Sequence, residues 1–181
     1  GSEEQRAIAT AAIVAEGRAA FAKLAALGKP NYSTWAPEQF NVKLADLGTA
    51  CWTHKQFTDD VQTREYRCPE VILGAKYGTP ADMWSLACTI FELACGDQLF
   101  DPRTGERYGK DEDHLALCIE LLGRIPKKVW SRGKYSEEYF NSKGELRNIP
   151  AKKLKFWPLP ALLSEKYEFD KTDAEAFAAF L

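Results

Sequence analysis

The stretch between Pro80 and Gly96 constrains this chain more than any other. Residues 81–95 are apolar apart from Asp82, Ser85, Thr89 and Glu92. A run of that length is too long for an ordinary strand, and Gly96 stands where a helix C-terminus takes a left-handed residue. The run predicts a buried helix, and a buried helix needs other elements packed around it. A second helix is predicted over 113–122, where Leu115, Cys118, Ile119 and Leu122 share one side. Gly123 and Pro126 close it. Residues 159–168 and 172–181 read as two more helices. Val42, Leu44 and Ala45 alternate with polar residues as a short strand would, ending at Asp46-Leu47-Gly48. Residues 49–80 lack clear periodicity and contain Pro69, Gly74, Gly78 and Pro80, so they read mostly as loop. The stretch from Arg132 to Pro158 is aromatic, basic and turn-rich.

Composition narrows the function classes. With 45% hydrophobic and 28% charged residues, the 181-residue chain can fill a real core. A formal net charge of -2 argues against a general nucleic-acid binder, whose partner demands a basic surface. The five cysteines are odd in number and contain no C-x-x-C pair, so neither a disulfide framework nor a structural zinc site is suggested. A reducing interior compartment follows. No apolar run approaches the roughly 20 residues that span a bilayer. Gly1-Ser2 reads as a tag-cleavage scar. Residues 3–28 are Ala-rich, with Ile13, Phe21 and Leu24 along one side, and read as a packing helix stopped by Gly28 and Pro30. Residues 29–41 are a connection.

Longer motifs then occur in a telling order. They are Lys43-Leu44-Ala45-Asp46-Leu47-Gly48, Ala50-Cys51-Trp52, Gln62 to Glu70 (QTREYRCPE), Pro80 to Ser85 (PADMWS) and Asp111-Glu112-Asp113-His114. Leu121-Leu122-Gly123, Gly133-Lys134-Tyr135-Ser136, Lys155-Phe156-Trp157-Pro158-Leu159 and Glu165-Lys166-Tyr167 follow. Through these, residues 42–181 resemble the C-terminal lobe of a protein kinase. More narrowly, they resemble the kinases of serine/arginine-rich splicing factors, the SR-protein kinases. The resemblance implies a mainly α, kinase C-lobe-like domain with a short β element around the D-L-G segment. It implies that Asp46 is the metal-binding Asp, that Pro69-Glu70 ends the activation segment, and that Asp82 braces a catalytic loop. Mg²⁺ and ATP are the parent family's cofactors.

The rest of a kinase's chemistry is not found. There is no G-x-G-x-x-G, no V-A-I-K strand before Asp46 and no H-R-D, and the two histidines, His54 and His114, both follow Asp46. The expectation is a catalytically incomplete fragment, with the Ala-rich helix an engineered replacement and no cofactor of its own. What remains is a docking surface for Arg-rich or Arg-Ser peptides, because a guanidinium fork meets a carboxylate through paired hydrogen bonds. The resemblance maps the groove onto Asp97, Asp113 and Glu120, with Lys166 nearby. Asp113 and Glu120 also share a helix side by spacing alone. Asp111 and Glu112 are read as charges favouring a helix N-terminus. Arg64, Arg67 and Lys110 form a second set, for a phosphorylated serine or for ordering the activation segment. Trp52, Trp84, Trp130 and Trp157 are expected as packing residues. Further expectations are a monomer without membrane or direct nucleic-acid contact, in the cytoplasm and nucleus. The rival readings are one half of an active kinase and a purely structural engineered protein.

Overall fold

The structure, a computed structural model, describes residues 43–181. The expected scar, Ala-rich helix and connection, and Val42, lie outside the described residues. The chain divides into two compact units, Gly1–Ala50 and Cys51–Leu181.

In the first unit, residues 43–46 carry no regular structure and Leu47–Thr49 form a single 3-10 turn. The strand expected around the D-L-G segment is therefore not formed over residues 43–45. A strand needs a ladder, and these residues have no strand partner among the described residues. Leu44 is accordingly 80% exposed.

The second unit is helical. Its helices are α1 (Pro69–Ile72), α2 (Pro80–Cys95), α3 (Lys110–Leu122), α4 (Lys127–Trp130), α5 (Ser136–Tyr139), α6 (Leu159–Glu165) and α7 (Lys171–Phe180). Short 3-10 turns cover Arg64–Tyr66 and Ala151–Lys153. Two isolated bridges, Trp52 with Lys55 and Phe140 with Leu146, are the strand-like pairings among the described residues.

The long helix α2 follows its sequence signals. Pro80 occupies the first turn, where its missing N–H costs nothing, and Gly96 ends the helix at φ +77° with its N–H on the Glu92 carbonyl. It is not buried all round, as the apolar run predicted. Ala81, Cys88 and Phe91 are fully buried on one face, while Met83 and Leu93 are exposed. Helix α3 begins at Lys110, three residues earlier than predicted, and buries Leu115, Ala116, Cys118 and Ile119. Leu122, its last residue, is exposed rather than in the stripe.

Three apolar clusters join these elements. Ile72 and Leu73 at the end of α1 meet Leu115, Ala116 and Ile119 of α3, and Phe140, Leu146 and Ile149 complete that cluster. Cys88 of α2, Phe100 and Cys118 of α3 form a second. Cys68, Val71 and Ala81 join α1 to α2. Truncating a fully buried Phe such as Phe91 removes about 3–5 kcal/mol of stability. Gly133 permits a close approach, since a Cβ there would collide with the Leu73 carbonyl. Tyr135 N–H donates to that same carbonyl at 2.9 Å. Helices α6 and α7 pack on each other, with Phe169 stacked on Phe177 at 5.8 Å.

Two of the tryptophans depart from the expected packing role. Trp84 and Trp130 pack half-buried, but Trp52 and Trp157 are exposed. Trp52 stacks near His54, and Trp157 donates its indole N–H to Glu165 at 2.9 Å. All five cysteines are free thiols. Burial pushes Cys68 and Cys88 up to about 12, the opposite of an activated thiolate.

Candidate docking site

Asp97 lies on the surface just beyond Gly96, the residue that ends α2. Its Oδ2 accepts from Lys166 Nζ and from the Tyr167 hydroxyl, both at 3.0 Å. Lys166 also donates to Tyr167 at 2.8 Å, closing a triangle. The Lys166 bond, then that of Tyr167, holds the Asp97 carboxyl below its usual range. Lys166 is correspondingly raised, by Tyr167 first and Asp97 second. Packing brings together these groups, 69 positions apart in the chain: the rings of Phe91 of α2 and Tyr167 stand nearly perpendicular, 5.5 Å between centroids.

Asp113 and Glu120 stand on α3, both half-buried. Seven residues of helix separate them by about 10 Å, nearly two turns, on a similar side. Asp113 Oδ2 accepts the Arg103 backbone N–H at 2.7 Å. Glu120 Oε1 accepts the Lys155 backbone N–H at 2.6 Å, and its own carbonyl accepts from Trp157 N–H at 3.0 Å. Lys155 and Trp157 precede α6, and Lys166 and Tyr167 follow it. One short helix thus carries the partners of Glu120 at one end and of Asp97 at the other. Each of the three carboxylates is oriented through one oxygen. Asp97 Oδ1, Asp113 Oδ1 and Glu120 Oε2 accept no hydrogen bond among the described residues.

The second set is used differently. Arg64 makes an ion pair with Asp111 in the first turn of α3. Arg67 donates through Nε to the Val61 carbonyl at 3.0 Å and through Nη2 to the Gln62 carbonyl and Asp60, each at 2.8 Å. Both guanidinium groups are engaged in holding residues 60–67. Gln62, at φ +68°, completes that lock by bonding the Ala81 carbonyl, the Ser85 hydroxyl and the Cys68 N–H. Lys110 is exposed beside Asp111.

Asp46 belongs to the other unit. It sits at φ +59° in the left-handed region, ahead of the 3-10 turn, and a Cβ at Gly48 would lie 3.6 Å from its Oδ1. Among the described residues no group of three or more His, Cys, Asp or Glu could hold a metal ion. Mg²⁺ keeps several waters and takes one or two carboxylates together with substrate phosphates, and Asp46 is the one carboxylate among the described residues of this unit.

Sequence reasoning missed two members of α3. Glu112 is only 2% exposed, and its oxygens accept from Asn148 N–H at 2.7 Å and Asn148 Nδ2 at 2.8 Å. His114 is fully buried against Phe100, with no hydrogen bond to either ring nitrogen among the described residues. Burial first, then Arg64, pushes His114 down to about 4. Tyr167 also escaped, although its position beside Lys166 was the available signal.

Known proteins share these sequence features. Residues 35–146 match the protein kinase domain family. The chain is 62% identical to the serine/threonine-protein kinase SRPK of Physarum polycephalum, over 77% of this chain and 33% of that protein. It is 56% identical to SRSF protein kinase 3 of Mus musculus, over 80% of this chain and 25% of the relative. Protein kinase dsk1 of Schizosaccharomyces pombe is 57% identical over 79% of this chain and 26% of its own length. The chain therefore spans a quarter to a third of the length of these relatives. With the helical architecture, the D-L-G and P-E positions and these identities together, the chain belongs to the protein kinase family, and within it to the SR-protein kinases.

Proposed function

We propose that this chain holds Arg-rich or Arg-Ser peptides of SR splicing factors through Asp97, Asp113 and Glu120. The observation that carries the reading is the half-open state of all three carboxylates. One oxygen of each is fixed by the chain's own donors, and the other is left to accept. Pre-oriented acceptors reduce the ordering cost of binding. The spacing of about 10 Å between Asp113 and Glu120 is close to the repeat of an extended polyproline II chain, which returns to the same side every three residues at about 3.1 Å each. An extended peptide would thus offer arginines about three positions apart. Lys166 occupies Asp97 until an incoming guanidinium competes for it.

Binding without phosphoryl transfer is part of the same proposal. The 181 residues carry no glycine-rich phosphate loop, no strand Lys and no catalytic-loop Asp. Removing a general base alone costs about 10²–10⁴-fold in rate. The rival, half of an active kinase, predicts that this chain binds Mg-ATP, which a nucleotide titration decides. For the docking reading, an Arg-rich peptide and its Lys-for-Arg counterpart are titrated side by side at low salt. The arginine peptide is expected to bind at least about 10-fold more tightly, because each fixed oxygen keeps a second acceptor site and the carboxylate can still meet a guanidinium fork, which lysine lacks. Equal binding would sink the guanidinium assignment.

A further inference from the structure

The near-neutral total conceals a strong local imbalance. Residues 124–157 contain ten Lys and Arg against three Glu, a net charge of +7, so the rest of the chain carries -9. The basic residues are distributed over the turn-rich stretch after α3. Arg124, Lys127, Lys128, Lys152, Lys153 and Lys155 are all exposed. None of these six has a carboxylate within salt-bridge distance among the described residues. Their neighbours converge on one place. Ile125, Val129, Trp130 and Leu154 all pack against the cluster formed by α1, α3 and Phe140. Each of the six cations thus lies within two positions of a residue packed on that cluster.

An exposed aromatic ring follows the last of them in the chain. Phe156, next to Lys155, is 59% exposed. Leu154 is packed inward and Trp157 is turned to Glu165, but Phe156 has neither role. We propose that the face built by residues 124–156 binds single-stranded nucleic acid, its lysines and arginine tracking phosphates and Phe156 stacking on a base. Spread cations beside an exposed ring are what a single strand requires, since the backbone supplies charge at intervals and every base has a π-face. An acidic peptide would use the charge and leave Phe156 idle. Glu120 borders this face, its side chain accepting the Lys155 N–H and its carbonyl the Trp157 N–H, so an Arg-rich peptide at Glu120 and a strand stacked on Phe156 would compete. The total of -2 excludes a chain that is basic all round and says nothing against a basic face.

Anisotropy titration of labelled oligouridylate and oligothymidylate, each of about twelve nucleotides, tests the assignment. Either oligonucleotide should bind at low salt. The slope of log affinity against log salt should shrink by about 1.4 in K152Q/K153Q, about 0.7 for each phosphate of a single strand that is no longer neutralised. Phe156→Ala should weaken binding about 5-fold or more while leaving that slope unchanged. Lys171→Gln, an exposed cation on α7, should change nothing. All of these side chains are exposed, so the fold should be retained. Absence of binding by both oligonucleotides at low salt overturns the proposal. So does wild-type affinity in Phe156→Ala together with displacement by polyglutamate, because that pair of results describes a plain anion surface.

Discussion

The carboxylates of α3 fall into two groups that sit within three turns of each other and behave in opposite ways. Asp111 and Glu112 are spent inside the molecule, one on Arg64 and the other on both donors of Asn148. Asp113 and Glu120 each give one oxygen to a backbone N–H and keep the other. The same contrast separates the basic residues. Arg64 and Arg67 are committed to residues 60–67 and 111. Arg124, Lys127, Lys128, Lys152, Lys153 and Lys155 have no ion-pair partner among the described residues. Charge alone does not mark a binding surface. Hydrogen-bonding capacity left over after folding does, because a group already satisfied within the chain must break that bond to meet a ligand. The comparison makes a sharp demand: committed charges should move stability and not affinity, and open ones the reverse.

The largest effect expected is on the committed side and concerns His114. Its folded pKa of about 4 lies below the value near 6.5 of an unfolded histidine. The unfolded chain therefore takes up the proton first, and stability falls as pH drops from about 6.5 towards 4. The loss reaches about 3 kcal/mol. Urea midpoints across that range should flatten in His114→Leu; an unchanged pH profile would remove His114 from the account. Next is Glu112→Ala, which removes a buried carboxylate and the two charge-assisted hydrogen bonds it accepts from the exposed Asn148. It should lower stability by about 2–3 kcal/mol with no change in the affinity for an Arg-rich peptide, read by denaturation and titration of the same sample. Arg64→Ala breaks a partly exposed pair with Asp111. A loss of about 1 kcal/mol is expected, and a loss of peptide affinity instead would move Arg64 into the open group. The smallest effect is that of Lys166→Ala. Freeing Asp97 from its competitor should tighten peptide binding by about 2-fold, a change of about 0.4 kcal/mol, and weaker binding would make Lys166 a support for the groove.

Much of this was legible in the sequence where one local rule decides. Pro80 and Gly96 bracket α2, and Gly123 ends α3. The last two helices, found at Leu159–Glu165 and Lys171–Phe180, overlap the predicted 159–168 and 172–181. The spacing of Asp113 and Glu120 already put them on one side. What was not legible depends on distant partners. Glu112 looked like a helix N-terminus charge, and only Asn148, 36 positions on, makes it a buried acceptor. Arg64–Tyr66 and Pro69–Ile72 are too short to show a period, so they vanished into a predicted loop. The strand around Ala45 was suggested by alternation, but alternation without a ladder partner yields no strand. The whole-chain charge hid the basic face because an acidic excess elsewhere offsets it.

The central claim is that Asp113 and Glu120 are open acceptors for arginine. Its most direct test is the dissociation constant of an Arg-rich docking peptide for the chain and for D113A/E120A, at about 50 and 200 mM salt, with Tm measured alongside. Binding to the chain should weaken as salt rises, since partly exposed charges are screened. The double variant should lose at least about 10-fold in affinity, about 1.4 kcal/mol, and most of the salt dependence, with little change in Tm. Undiminished binding by D113A/E120A would contradict the account.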